Sequence, residues 1–284
     1  MEIIIRPESP SEQGKIMMKN MILVVEVVII LLLITGCSFS DKFYDPSKNY
    51  NAIEGVISKD IWFTHKGTKI HTLLLLPEES ISRQRVLILI PGKGGNVSEW
   101  YKFAVPLVNA GYHVWLPDNP GHGLSEGKPS HKAVYEAINP VVGEMINHEI
   151  VRNKATAIWG FSLGANLAAK LAVNYQDSIK GLIIDGGCSS FEDVAVGTTE
   201  GGSFWVRLFV SSPYPAKNSI RFLTEGKTLI IHSEEDLVMP FEMGKLLYEN
   251  AGNRKKFWPV TGEHCRTVHN ETDNYIEKIE WIFA

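Results

Sequence analysis

The chain has 284 residues, 44% of them hydrophobic and 21% charged, with a net charge of −4, which allows a sizeable buried core in one large domain or two small ones. Acidic and basic residues are interspersed with no Lys/Arg stripe, which sets nucleic acid aside as a partner. The three cysteines form no C-x-x-C pair and the nine histidines no H-E-x-x-H spacing, so neither a disulfide scaffold nor a metal site is expected and no cofactor is implied.

Residues 1–36 stand apart from the fold. Pro7 and Pro10 lie in a polar start, which leaves Met17 or Met18 as alternative first residues; Lys19 then precedes an apolar stretch, Ile22 to Leu33, broken only by Glu26. A short basic start, an apolar stretch and small residues before a cleavage point form a secretory signal. The following Ile34-Thr35-Gly36-Cys37 resembles the lipobox of bacterial lipoproteins. That resemblance implies that Cys37 receives a diacylglyceryl group and anchors the mature chain to the extracytoplasmic face of the cell membrane. An uncleaved membrane anchor is the alternative, although the run falls short of the roughly 20 residues a span needs. Glu26 is costly under both readings. Residues 37–51 are polar and read as a tether between membrane and domain.

From residue 52 to 284 strand and helix patterns alternate. Val56-Ile57 with Ile61-Trp62-Phe63, then Ile70 to Leu76, form an opening antiparallel pair around Lys66-Gly67-Thr68. The continuous apolar run Val86 to Ile90 predicts a strand covered on both faces. It ends in Pro91-Gly92-Lys93-Gly94-Gly95-Asn96, and a helix follows with Trp100, Phe103, Ala104, Leu107 and Val108 on one face; Pro106 is expected to kink or split it. A strand at Tyr112 to Leu116, the turn-rich Asp118 to Gly127 and a helical region from His131 to Arg152, interrupted at Pro140, come next. Strands are again expected at Leu182 to Asp185, Thr228 to His232 and Lys255 to Pro259, with helices at Pro240 to Asn250 and around Tyr275, Ile276, Ile279 and Ile282. The pattern predicts an α/β fold whose mostly parallel central sheet has helices on both faces. The regularity breaks at about 188–223, where Phe191, Phe204, Trp205 and Phe209 are expected in a small cap over the site.

The chemistry centres on Gly160-Phe161-Ser162-Leu163-Gly164, a G-x-S-x-G pattern between an apolar run and a helical one. A serine hydroxyl is a poor nucleophile unless a tight strand-to-helix turn presents it and a base removes its proton, so Ser162 is the candidate nucleophile of a nucleophile elbow. Downstream strand ends offer partners in the order acid, then base. Asp236 is the candidate acid, with Glu234, Glu235 and Asp185 as competitors. His264 is the candidate base, with His269 as competitor. His122 and His232 are expected to tie turns. Cys188 and Cys265 are expected either to be small buried residues or to pair.

These pieces resemble the α/β-hydrolase superfamily, in particular its bacterial carboxylesterase, lysophospholipase-like and serine-aminopeptidase-like group. His232 to Pro240 is similar to the family's H-G-x-x-D-x-x-V-P, Gly262-Glu263-His264 to its G-x-H, and Asp118 to Gly127 to its D-x-x-G-x-G-x-S-x-G turn. The chain departs from the pattern at Pro91-Gly92 and His232-Ser233, where the family has His-Gly. The resemblance implies a serine hydrolase acting on small-molecule esters, with the backbone N–H groups of Leu163 and Lys93 as oxyanion donors. An amide or peptide hydrolase, an acyltransferase and a surface binding protein with an idle triad are the alternatives on the same scaffold.

Overall fold

The structure, a computed structural model, describes residues 43–197 and 210–284. Cys37, residues 1–36 and the cap aromatics Phe204, Trp205 and Phe209 lie outside them. Among the described residues no helix is long and apolar enough to cross a membrane.

Eight strands form one sheet: β1 (Ile57–His65), β2 (Thr68–Leu76), β3 (Arg85–Ile90), β4 (His113–Pro117), β5 (Ala155–Phe161), β6 (Gly181–Asp185), β7 (Lys227–Ser233) and β8 (Lys255–Val260). The order across the sheet is β1-β2-β4-β3-β5-β6-β7-β8. β2 runs antiparallel to both neighbours, and every pairing from β4 through β8 is parallel. Lys66 and Gly67 close the β1–β2 hairpin with φ of 47° and 78°, the left-handed pair that a two-residue turn requires.

The helices are α1 (Val97–Asn109), α2 (His131–Asn147), α3 (Gly164–Asn174), the short α4 (Phe191–Gly197) and α5 (Ala216–Ser219), α6 (Phe241–Asn250), the short α7 (Thr267–Asn270) and α8 (Thr272–Phe283). Side chains alternate across a strand, so each central strand supplies both layers. Ile88, Ile158, Ile184 and Ile230 point into the core beneath α2, α3 and α6. Leu87, Leu89, Trp159, Ile183 and Ile231 point into the core beneath α1 and α8. Burying each such side chain stabilises the fold by about 1.5–3 kcal/mol.

Neither proline splits its helix. α1 runs unbroken through Pro106 and α2 through Pro140. The carbonyls each proline leaves without an intrahelical donor belong to Lys102 and Glu136, both at exposed positions, where water can serve them.

The tether reading also changes for its second half. Residues 43–51 lie against the domain: Pro46 bridges Gly95, the carbonyl of Ser47 accepts from Gly123 at 2.8 Å, and Lys48 Nζ donates to Ser125 O at 2.6 Å. Asn96 caps α1 by accepting from the Ser98 N–H at 2.9 Å. Its amide also donates to the carbonyl of Asn49 at 2.8 Å. Polar residues in this stretch thus hold backbone hydrogen bonds, which composition alone does not distinguish from solvation.

Candidate functional site

Parallel strands bring their C-terminal ends to one edge, and that edge is where open α/β sheets carry ligands. The register aligns Ile90 with Gly160, Phe161 with Asp185, Asp185 with Ile231 and Ser233 with Val260, so the loops after β3, β5, β6, β7 and β8 converge.

Ser162 occupies the turn between β5 and α3 with φ 50°, a left-handed conformation that costs a non-glycine residue about 1–3 kcal/mol. Surrounding bonds hold it there. Its N–H donates to the carbonyl of Asp185 at 3.1 Å, and its carbonyl accepts from Ala165 at 3.1 Å and Cys188 at 3.2 Å. The two motif glycines exist for space: a Cβ on Gly160 would stand 2.5 Å from Ala168 Cβ, and one on Gly164 would stand 2.4 Å from the Pro91 carbonyl oxygen. A Cβ on Gly92, in the loop after β3, would stand 2.9 Å from Ser162 Cβ, so the Gly-rich loop passes directly beside the serine. Among the described residues nothing accepts from the backbone N–H of Leu163 or of Lys93. Leu163 also begins α3 without a side-chain cap, leaving donors at the positive end of a helix.

His264 Nδ1 lies 2.6 Å from Asp236 Oδ2, a fully buried oxygen-bearing side chain. Asp236 Oδ1 accepts from the N–H groups of Val238 and Met239, each at 2.8 Å. Burial is the largest influence on this carboxyl and pushes its pKa up, but the His264 bond and the two backbone donors outweigh it and hold the pKa below the ordinary value. His264 Nε2 is buried and, among the described residues, has no partner. The structure brings His264 and Asp236 together and places both His264 and Ser162 against the turn after β6: a Cβ on Gly186 would stand 3.0 Å from His264 Cε1. No hydrogen bond joins Ser162 to His264 directly.

The competitors fall elsewhere. Glu235 accepts from the N–H of Gly262 at 2.8 Å, and His269 lies in α7 with its ring against Phe103. Asp185, at the end of β6, accepts from Tyr275 Oη at 3.0 Å. Burial pushes its pKa up to about 7. His232 Nε2 donates to the Met239 carbonyl at 2.9 Å and His122 Nδ1 to the Pro120 carbonyl at 3.2 Å, so both tie turns as expected. Cys188 and Cys265 are free buried thiols; the Cys188 thiol, pushed up to about 12 by burial, accepts from Asn166 at 2.9 Å.

Two supports escape a sequence reading. Ser233, where the family pattern has glycine, donates its hydroxyl to the Gly262 carbonyl at 2.6 Å and so braces the turn that carries His264. Asp118 joins the turn after β4 to both flanks. Its Oδ1 accepts from Val97 N at 2.8 Å, at the start of α1, and its Oδ2 meets buried His71 Nδ1 at 2.7 Å. A hydrogen-bond partner 21 or 47 positions away leaves no local signal.

An apolar slot lies beside Ser162, lined by Phe43, Tyr44, Pro91, Gly92, Val134, Leu163, Leu167, Phe191 and Tyr214, with about 20 Å³ of free volume. A wider hollow of about 550 Å³ between Ile57, Leu76, Ile81 and Val108 sits at the opposite end of the parallel strands and bears none of these groups. Among the described residues no cluster of three or more His, Cys, Asp or Glu could hold a metal ion.

A family model described as the alpha/beta hydrolase fold matches residues 85–219. The uncharacterized protein YfhR of Escherichia coli O157:H7 is 22% identical over 252 residues, covering 85% of this chain and 87% of that one. Lysophosphatidylserine lipase ABHD12 of Danio rerio is 30% identical over 173 residues, covering 52% and 42%. The Pyrococcus furiosus esterase Pf2001 superposes with a TM-score of 0.65 at 16% identity over 85% of this chain and 96% of that one. Sheet order, loop convergence and these likenesses together show that the chain has the α/β-hydrolase fold.

Proposed function

We propose that the chain is a serine hydrolase that cleaves carboxylic esters through an acyl-enzyme. Ser162 Oγ attacks the ester carbonyl while His264 Nε2 takes its proton, and Asp236 fixes the imidazole tautomer and stabilises the imidazolium. The N–H groups of Leu163 and Lys93 receive the oxyanion; losing one such donor costs about two to three orders of magnitude in rate. The imidazolium then protonates the leaving alcohol. Water, deprotonated by His264, attacks the acyl-enzyme and releases the carboxylic acid and Ser162.

The observation that carries this reading is a histidine bound at 2.6 Å to a buried aspartate while its other nitrogen is buried and unpartnered. A buried polar atom without a partner is costly, and a reacting hydroxyl supplies the missing one. The presence of an esterase and a lipase among the similar proteins supports the same chemistry. For location, we propose a lipid anchor at Cys37 on the extracytoplasmic face of the membrane.

A fluorophosphonate probe is expected to label the protein and to leave Ser162→Ala unlabelled; equal labelling of the variant overturns the assignment. A panel of p-nitrophenyl esters and aminoacyl-amides separates an esterase from an amide hydrolase. Absence of both labelling and turnover would favour a binding protein.

A further inference from the structure

We propose that Phe43 and Tyr44, carried on the segment docked ahead of β1, stopper the acyl subsite and restrict this enzyme to short acyl groups such as acetyl. The inference rests on the esterase reading and names its substrate class. The slot they close adjoins the serine through Leu163, its chain neighbour, and Gly92, which passes beside it. Its floor includes Leu163 and Gly164 on one side of the nucleophile and Pro91 and Gly92 on the other, the same two segments whose backbone N–H groups would face the substrate carbonyl. A substituent on that carbonyl therefore has this slot as an adjoining apolar surface.

The free volume there, about 20 Å³, holds roughly one water-sized group. The far walls, Val134, Leu167, Phe191 and Tyr214, are apolar or aromatic side chains, with Asn119 the one non-aromatic polar side chain among the lining residues. Phe43 and Tyr44 complete the lining from the docked segment. The Phe43 ring meets Phe191 edge-on at 5.1 Å, and Tyr44 Oη bonds His131 Nδ1 at 3.1 Å. His131 in turn stacks on Phe191 at 3.8 Å and receives Tyr214 Oη on its carbonyl at 2.8 Å. The segment is secured behind the two rings by the Pro46–Gly95 bridge and by the Ser47 and Asn49 carbonyls that accept from Gly123 and Asn96. These bonds fix the stopper to the Gly-rich loop that passes Ser162, through Gly95 and Asn96, and to the turn after β4, through Gly123.

The test compares kcat/KM for p-nitrophenyl acetate and octanoate in the wild type, Phe43→Ala, Tyr44→Ala and Tyr44→Phe. The wild type is expected to prefer acetate by at least about ten-fold, and each alanine variant to raise the octanoate-to-acetate ratio by about ten-fold or more, as one mismatched methylene alone is worth tens of fold in a pocket. Tyr44→Phe keeps the ring and removes only the hydroxyl, so it is expected to keep the wild-type ratio. Melting temperatures report whether each variant folds. A wild type that prefers octanoate, or folded alanine variants with an unchanged ratio, overturns the inference. A change that follows the length of the alcohol in a series of acetate esters, and not the acyl group, also overturns it.

If no ester is turned over and no probe labels Ser162, the esterase reading fails and the slot is read by binding instead. Fluorescence titration with cis-parinaric acid is then expected to detect uptake in Phe43→Ala and Tyr44→Ala but not in the wild type. Equal affinity in all three overturns the stopper.

Discussion

The backbone N–H of Ser162 donates to the carbonyl of Asp185 at 3.1 Å, and the side chain of that aspartate is itself buried beneath the site. Trp159 Nε1 donates to Tyr275 Oη at 2.8 Å, and Tyr275 Oη donates to Asp185 Oδ2 at 3.0 Å. The strand that ends at the candidate nucleophile is thereby tied to α8 and to the end of β6. Among the described residues Asp185 makes no salt bridge, and the one side chain that hydrogen-bonds its carboxyl is Tyr275, through its neutral hydroxyl. Burial raises its pKa from 3.8 to about 7, against smaller lowering influences from Tyr275 and His264.

The sign of its effect on stability follows from linkage. The folded pKa lies above the unfolded value, so the contribution is fully present below pH 3.8 and is lost as pH rises through about 7, at about 1.4 kcal/mol per pH unit within that window. Asp185→Asn keeps an acceptor for Tyr275 and removes the ionisation. Urea unfolding at pH ~5 and ~7 is expected to show the wild type losing stability relative to the variant as pH rises; parallel curves would mean that Asp185 ionises as easily in the native state as in the unfolded chain.

Ser162 holds a positive φ of 50° that the serine side chain does not favour. Ser162→Gly and Ser162→Ala both lack the hydroxyl, but only glycine relieves the backbone. The glycine variant is expected to exceed the alanine variant in stability by about 1 kcal/mol, seen as a melting temperature higher by about 2–4 °C. Equal melting temperatures would indicate that the turn is not strained.

Asp236 is held below its ordinary pKa by His264 and by the Met239 and Val238 N–H groups. A depressed folded pKa contributes stability above the unfolded value and loses it as pH falls through the folded one. Asp236→Asn can still accept from Val238 and Met239 through its amide oxygen, so the loop keeps its shape. What changes is the charge facing the proposed base. The expected result is a fall in kcat of about four orders of magnitude with KM little altered, together with loss of the acid-side fall in stability due to this group. A kcat within ten-fold of wild type would remove Asp236 from the proposed triad.

The parts of the fold and site that were legible in the sequence are those written in neighbouring residues. The strands from Val86 to Ile90 and from Ala155 to Phe161 declare themselves as apolar runs, and the Ser162 turn by its flanking glycines. The serine, acid and histidine segments each occupy a strand end, and alternating strands and helices put strand ends on one edge. What the sequence concealed depends on distant partners. Asp118 reads as one more turn residue until its bonds to Val97 and His71 are seen. Phe43 and Tyr44 sit in a polar stretch, and only the tertiary fold sets Tyr44 beside His131, 87 positions on. Pro106 and Pro140 do not end their helices because the carbonyls they leave without a helical donor, at Lys102 and Glu136, are at exposed positions that water reaches.

Cys37 precedes the docked segment by only a few positions. It follows an apolar run, Ile22 to Leu33, and the small residues Thr35 and Gly36, the arrangement expected ahead of a lipid-modified cysteine. One acyl chain gives marginal membrane binding, whereas several on one residue anchor firmly at about 0.8 kcal/mol per buried methylene. In a bacterial host, labelled palmitate is expected to enter the wild type and not Cys37→Ser, and the variant is expected to accumulate as an unprocessed precursor of larger mass. Fractionation separates anchoring from processing: the wild type stays with membranes after a high-salt wash, because salt screens charge but does not weaken acyl burial. Palmitate in Cys37→Ser, or wild type released by salt alone, would leave the uncleaved apolar run or surface charge as the means of attachment and would remove Cys37 from the account.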